Sequence, residues 1–341
     1  MAANIYIYPN SSRGANTGLY NPYIDDLVDS LSLYFKFVNN GKPSNTGIFD
    51  ILNYISNLDF VFFNWIEKLP ENKAGKIQTF FLFMLIPILK LFSIKIIWTM
   101  HNKLSHSKDE LFLKKLIFRK MLKNADYIIT HSSEGIEFGE QLVTGSKIKI
   151  HYFPHPVKDR RSKEKPKMVH DILIWGTISP YKGIDKFLEF LFENELDKKY
   201  KIKIAGKSTS EKYFASISKF QNENIDIENC FIEDDLLRNL IAQSKLVLFT
   251  YAKSSILSSG ALMDSLGYGA EIIGPDVGAF HDLDKEGILN TFSNYEELIK
   301  KVDMQLDRGF SLPNQSNLDN FLIENTWDAF SKKVAADLSI K

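Results

Sequence analysis

The chain has a single cysteine, Cys230, in 341 residues. One thiol can form neither an internal disulfide nor a cysteine zinc cluster. Cys230 therefore reads as a small buried side chain, and a reducing cytosol is the expected compartment. Net charge is also missing. Lys and Arg total 42 and Asp and Glu total 42, so no overall field draws nucleic acid, and none is expected as a partner. No Cys/His cluster spacing occurs, and no DxD-type acidic pair falls at a candidate site, so no metal is expected. The loop Ser11–Gly18 lacks the G-x-G-x-x-G spacing of dinucleotide-binding turns. Residues Met1 to Tyr8 show no basic segment leading into a long apolar run, so no signal peptide is expected. The longest apolar stretch, Phe80 to Leu89, is interrupted by Pro87 and ended by Lys90. A bilayer span takes about 20 apolar residues. A buried helix is the first reading of this stretch and a membrane-surface helix the second.

What is present is a globular composition, 44% hydrophobic and 25% charged, in a chain long enough for two cores. Strand and helix signals alternate. Asn4–Tyr8, Phe60–Trp65, Lys95–Met100 and Tyr127–Thr130 read as strands, the last three as continuous apolar runs buried on both faces. Pro22 to Leu31 has helical spacing with Pro22 in the first turn. A proline- and charge-rich stretch from His151 to His170 then marks a boundary. The rhythm restarts at Asp171–Trp175 and continues through Tyr200–Ala205, Lys245–Phe249 and Ala270–Ile273. This alternation implies an α/β chain of two doubly wound, Rossmann-like domains facing a cleft, with ligands at the carboxyl ends of the strands. The expected division is 1–156, a linker 157–170, a second domain 171–325, and a final helix 326–341 packing back on the first domain.

Two segments carry the chemistry. Trp175-Gly176-Thr177 through Lys182-Gly183 reads as a strand, a glycine turn and a lysine ahead of a helix. Ser258-Ser259-Gly260-Ala261 reads as a small-residue loop opening another helix. Bare N–H groups at a helix N-terminus and a nearby lysine bind phosphate. A turn lysine and an ordinary helix cap are the plainer readings of the same residues.

In order and spacing these segments resemble GT-B glycosyltransferases of the family-4-like group found in bacterial surface-polysaccharide assembly. The resemblance runs through Gly176…Lys182-Gly183, Ile204-Ala205-Gly206-Lys207, Ser259 through Gly269, and Ile273 through Gly278. In the first half, Trp98-Thr99-Met100-His101-Asn102 and His106 resemble the TxHN…H segment of polysaccharide-assembly transferases. Two departures stand out. Thr177 occupies the usual arginine position, and only Asp264 represents a pair of glutamates spaced eight apart. The stereochemical class therefore does not carry over.

The resemblance implies a metal- and cofactor-independent hexosyltransferase using a UDP- or GDP-linked sugar, with the domains closing around the donor. It implies a donor site at Gly176, Thr177, Lys182, Gly206, Lys207, Ser258, Ser259, Gly260 and Ala261. His101 would act as a base or sugar ligand, and Asp264 would meet a sugar hydroxyl; a structural histidine and a surface carboxylate are the alternatives. Arg13, Gly14, Asn102 and His106 are the acceptor-side candidates. His131, Ser132 and Ser133 read as a helix cap, and His155 as structural. Residues Lys103 to Lys123 hold seven cations against Asp109 and Glu110, with apolar residues at helical spacing. They read as a solvated face or as a surface for anionic lipid. A glycan or lipid-linked oligosaccharide acceptor in polysaccharide biosynthesis, handled by a cytoplasmic enzyme peripheral to the inner face of the membrane, would join these features. A nucleotide-sugar epimerase on the same fold and a degenerate glycan- or partner-binding protein are the rival readings.

Overall fold

The computed structural model describes residues 2–10, 22–42, 46–103, 111–143, 149–162, 167–252, 256–307 and 315–340. The chain forms two compact units, Met1–Pro156 with Asn325–Lys341 (unit 1) and Val157–Glu324 (unit 2).

Unit 1 runs β1 (Ala3–Tyr8), α1 (Pro22–Leu31), β2 (Phe35–Phe37), β3 (Phe60–Asn64), α2 (Gly75–Leu91), β4 (Lys95–Met100), α3 (Leu111–Asn124), β5 (Tyr127–Thr130), α4 (Ser133–Leu142) and β6 (Ile150–Tyr152). Its sheet is parallel throughout, in the order β2-β1-β3-β4-β5-β6. All five residues of β3 and all four of β5 are buried. An apolar run with no polar alternation can be satisfied only by cover on both faces. Ser132 caps α4 by accepting the Glu134 N–H, as the sequence suggested.

Unit 2 runs β7 (His170–Trp175), α5 (Ile184–Glu193), β8 (Ile202–Ala205), α6 (Glu211–Ser218), β9 (Ile225–Glu228), α7 (Asp234–Ala242), β10 (Ser244–Leu248), α8 (Gly260–Gly267), β11 (Ile272–Pro275), α9 (Gly278–Lys285), β12 (Asn290–Phe292), α10 (Tyr295–Asp307) and α11 (Gln315–Glu324). Its sheet order is β12-β11-β10-β7-β8-β9, again all parallel. The two-residue period of the strands splits the core cleanly. Ile172, Ile174, Leu246 and Leu248 pack on one face with α5 and α10, while Leu173 and Val247 pack on the other with α7, α8 and α9. The strand order reverses between β7 and β10, which marks the switch point where a ligand crevice forms at the carboxyl edge.

Residues 157–162, expected as a linker, are part of unit 2. Val157 lies in its core, and the Arg160 N–H donates to the Gly267 carbonyl at 2.7 Å. A Cβ on Gly267 would meet the Lys158 carbonyl oxygen at 2.3 Å, so the segment lies directly on α8. The helix α12 (Trp327–Asp337) belongs to unit 1, with Trp327, Phe330 and Val334 in the same core cluster as Ile24, Leu27 and Ile97. The Tyr127 hydroxyl donates to Asp337 at 2.6 Å. Among the described residues, no helix is long and apolar enough to cross a membrane.

Candidate active site

The switch point of unit 2 brings together residues about eighty positions apart. β7 is followed by Gly176, whose φ of +93° lies in the region that glycine enters at no steric cost. The turn that follows folds Lys182 back under the strand end, where its Nζ donates to the Trp175 carbonyl at 3.2 Å. A Cβ added to Gly176 would sit 2.9 Å from that Nζ and 3.9 Å from the Ala261 Cβ. The space above Gly176 is thus bounded by the lysine and by the first turn of α8.

Lys182 is buried and, among the described residues, forms no ion pair with a carboxylate. Its ammonium lies 5.3 Å from the centre of the Tyr251 ring, and burial alone lowers its pKa to about 7. A cation held this way lacks its natural counter-charge. The turn is fastened to the loop after β10: Thr250 Oγ1 donates to the Lys182 carbonyl at 2.6 Å, and the Ala252 N–H to the Tyr181 carbonyl. Gly183 (φ +66°) cannot be replaced cheaply, because a Cβ there would lie 2.6 Å from the Thr250 carbonyl oxygen.

On the other side, Ser259 caps α8 by accepting the Leu262 N–H, and its hydroxyl also meets the Tyr251 hydroxyl at 3.2 Å. Gly260 opens the helix at an exposed position with nothing within 4 Å of its Cβ direction. Ser258 Oγ is buried without a partner. The Lys182 ammonium and the first turn of α8 at Ala261 therefore border the space over Gly176, with Ser258 and Ser259 in the segment that opens that turn; an ammonium and bare helix N–H groups are a donor set suited to phosphate oxygens.

The remaining candidates of unit 2 are placed differently. Thr177 and Lys207 are exposed. Gly206 is required by packing, since a Cβ there would lie 1.8 Å from the Gly176 carbonyl oxygen. Asp264, one turn along α8, stands 3.5 Å from Arg160 Nη1, which also reaches Asp234 at 3.7 Å and the Tyr268 hydroxyl at 3.4 Å.

In unit 1, His101 directly follows β4 and is buried. Its Nε2 donates to Asn64 Oδ1 at 3.0 Å, its ring stacks on Trp65 at 4.1 Å, and Tyr23 meets it edge-on at 4.7 Å. Tyr23 also bonds His131 Nε2 through its hydroxyl at 2.9 Å, and it touches His155 and Trp327 edge-on. Burial holds all three histidines neutral. His101 lies well below its usual pKa, His131 falls to about 3 and His155 to about 4. A neutral His101 with Nε2 committed to Asn64 keeps Nδ1 as an acceptor, but it is a weak base. Two residues after Trp65 lies Glu67, which is buried and has no well-formed hydrogen bond to either oxygen. Burial raises its pKa to about 7, with partial relief from its own backbone N–H, Lys68 and Asn102. Arg13, Gly14 and His106 lie outside the described residues.

No protein-family model matches the chain, and no curated protein matches it in sequence. Solved structures do match in shape. HepE of Anabaena, solved with UDP-glucose, superposes with a TM-score of 0.71 at 11% identity, covering 99% of this chain and 100% of that one. Sucrose-phosphate synthase of Thermosynechococcus elongatus gives 0.72 at 10% identity, over 99% and 98%. A glycosyltransferase of Rickettsia africae gives 0.65 at 15% identity, over 98% and 97%. The chain has the GT-B fold.

Within this GT-B chain, besides the rings around His101, four side chains near the two sites escaped the sequence reading. Tyr251 lies two residues past the apolar strand Lys245–Phe249, and its place just beyond a strand end was the available signal. Glu67 and Asn64 flank the αL residue Trp65 (φ +48°), a conformation that no residue type there announces. Arg160 was hidden in a run read as linker.

Proposed function

We propose that this protein is a glycosyltransferase that moves a hexose from a UDP- or GDP-linked sugar to a glycan or lipid-linked acceptor. The observation that carries the reading is Lys182, a buried ammonium in no ion pair with a carboxylate among the described residues, aimed with the first turn of α8 at the space over Gly176. As the glycosidic bond to the nucleotide breaks, negative charge gathers on the departing diphosphate. Lys182, the N–H groups of Gly260 and Ala261, and the hydroxyls of Ser258 and Ser259 stabilise that charge. The diphosphate is the counter-ion that Lys182 lacks, so binding restores the protonated lysine. Thr177, Gly206 and Lys207 border the donor, and Asp264 is oriented by Arg160 toward a sugar hydroxyl. Residues 1–156 supply the acceptor side, with His101 Nδ1 and Asn102 positioning a hydroxyl beside Glu67; Arg13, Gly14 and His106 are assigned to the same side. HepE, solved with UDP-glucose, favours uridine as the base. The reaction as proposed takes place on the cytoplasmic side and draws on no metal or added cofactor.

Isothermal titration of the native protein with UDP, UDP-glucose and GDP tests this reading. One nucleotide should bind selectively, and Lys182→Ala should weaken it at least tenfold. If the native protein binds none of them, or if Lys182→Ala binds as well as native, the reading fails.

A further inference from the structure

Two helices of unit 1 present a surface that sugar transfer does not use. In α2 the residues Ile77, Phe80, Met84, Pro87 and Leu91 recur at three- and four-residue intervals on one face. All five are exposed, Phe80 to 69% and Leu91 to 81%. The opposite face, with Leu82, Leu85, Ile86 and Leu89, is buried in the unit. An outward helix face is normally polar; this one is apolar for four turns.

The neighbouring helix α3 packs on α2 and shows a second stripe, Phe112, Lys115, Arg119 and Lys123, at the same spacing. Phe112 is 72% exposed. Neither helix contains an Asp or Glu, whereas Lys76 and Lys90 stand near the ends of α2. In a chain of zero net charge, two adjacent helices with cations only are a local departure.

We propose that this face of unit 1 seats on an anionic lipid bilayer, with α2 lying in the interface plane. The α2 stripe enters the acyl boundary, and Lys115, Arg119 and Lys123 meet the lipid phosphates. Charge complementarity selects this occupant. A stripe about 21 Å long at 1.5 Å per residue, flanked by cations with flexible stems on two helices that themselves carry no carboxylate, matches a laterally uniform anionic surface. Lysines beside the stripe bury their methylenes while their heads stay at the headgroups. The helix lies on the membrane and does not cross it, as the absence of any sufficiently long apolar helix among the described residues requires. The inference goes beyond glycosyl transfer and does not depend on it.

The test is co-sedimentation of the full chain with vesicles of phosphatidylcholine alone and with added phosphatidylglycerol. Binding should be at least tenfold tighter to the anionic vesicles and should weaken with rising salt. Phe80→Ser with Leu91→Ser should abolish binding to both. Lys115→Glu, Arg119→Glu and Lys123→Glu together should remove only the preference for the anionic lipid. Nucleotide titration of each variant, read at unit 2, should match the native protein, which separates failure here from failure of the transferase reading. The proposal is overturned if the native protein stays in the supernatant with anionic vesicles, or if the Phe80/Leu91 variant binds like native. It is overturned equally if light scattering shows a dimer that the Phe80/Leu91 variant splits while no vesicle is bound, since the face would then be an interface between copies.

Discussion

At the carboxyl edge of the sheet in unit 1, rings close the space. Tyr23 contacts His101, His131, His155 and Trp327 edge-on, and Trp65 stacks over His101. At the same edge in unit 2, backbone and small residues leave the space open around Gly176, Gly260 and one buried lysine. Both sheets are six-stranded and wholly parallel, so the scaffold does not make the difference. The loops beyond the strand ends do. A ring cluster fixes a few hydrogen-bonding atoms rigidly, as suits the placing of a neutral hydroxyl. Bare N–H groups and an uncompensated ammonium suit a ligand that brings its own negative charge.

The contrast can be broken most forcefully at Gly206. Gly206→Ala drives a methyl group into the Gly176 carbonyl, and it should destabilise unit 2 by about 3 kcal/mol or more. Chemical denaturation would measure the loss, and hydrogen exchange should place it in β7 and β8 and leave unit 1 protected. Acid should do the reverse. The histidines are held neutral in the folded state, with His131 near 3 and His155 near 4 against an unfolded value of 6.5. The unfolded chain therefore binds more protons, and stability falls as pH drops below 6.5. Glu67, raised to about 7 from 4.5, opposes this, since its proton is retained in the folded state over that window. Three histidines outweigh one carboxyl, and a net loss of about 3 kcal/mol from pH 7.5 to pH 5 is expected in unit 1. Exchange rates corrected for intrinsic pH dependence should rise in β4 and β5 and not in β7 or β10.

Lys182 gives a subtler readout. Its folded pKa is near 7, so at pH 8 the free site is mostly uncharged. Nucleotide binding at pH 8 should take up close to one proton, and affinity should fall by up to about tenfold per pH unit above 7. Calorimetry in buffers of different ionisation enthalpy measures the uptake. Lys182→Arg should abolish it, because arginine stays charged. The smallest effect is expected from Tyr23→Phe, which removes the hydroxyl on His131 and should cost about 1 kcal/mol in thermal denaturation.

The central strands of unit 1 were legible because burial on both faces leaves a continuous apolar run, as in β3, β4 and β5. The short strands β2, β6, β9 and β12 were not, since three or four residues at the rim of a sheet carry no period long enough to read. Lys182 and Ser259 could be found because a glycine turn and a helix cap are local devices. The ring cluster could not. Tyr23, Trp65, His101, His131, His155 and Trp327 come from six separate segments, and only the strand order brings them to one place. Glu67 reads as one more charged residue in Glu67-Lys68, and nothing in that pair announces its burial two residues past the left-handed turn at Trp65.

The helix α12 has a consequence for how the molecule is made. Unit 1 is interrupted after Pro156 and resumes at Asn325, so unit 2 is in effect an insertion in its sequence. During synthesis the first 156 residues leave the ribosome well before Trp327, Phe330 and Val334 exist to cover Ile24, Leu27 and Ile97. Unit 2 is contiguous and has all its residues before then. The nascent chain is thus expected to complete its second unit first, and to hold the first with an uncovered apolar face until α12 emerges.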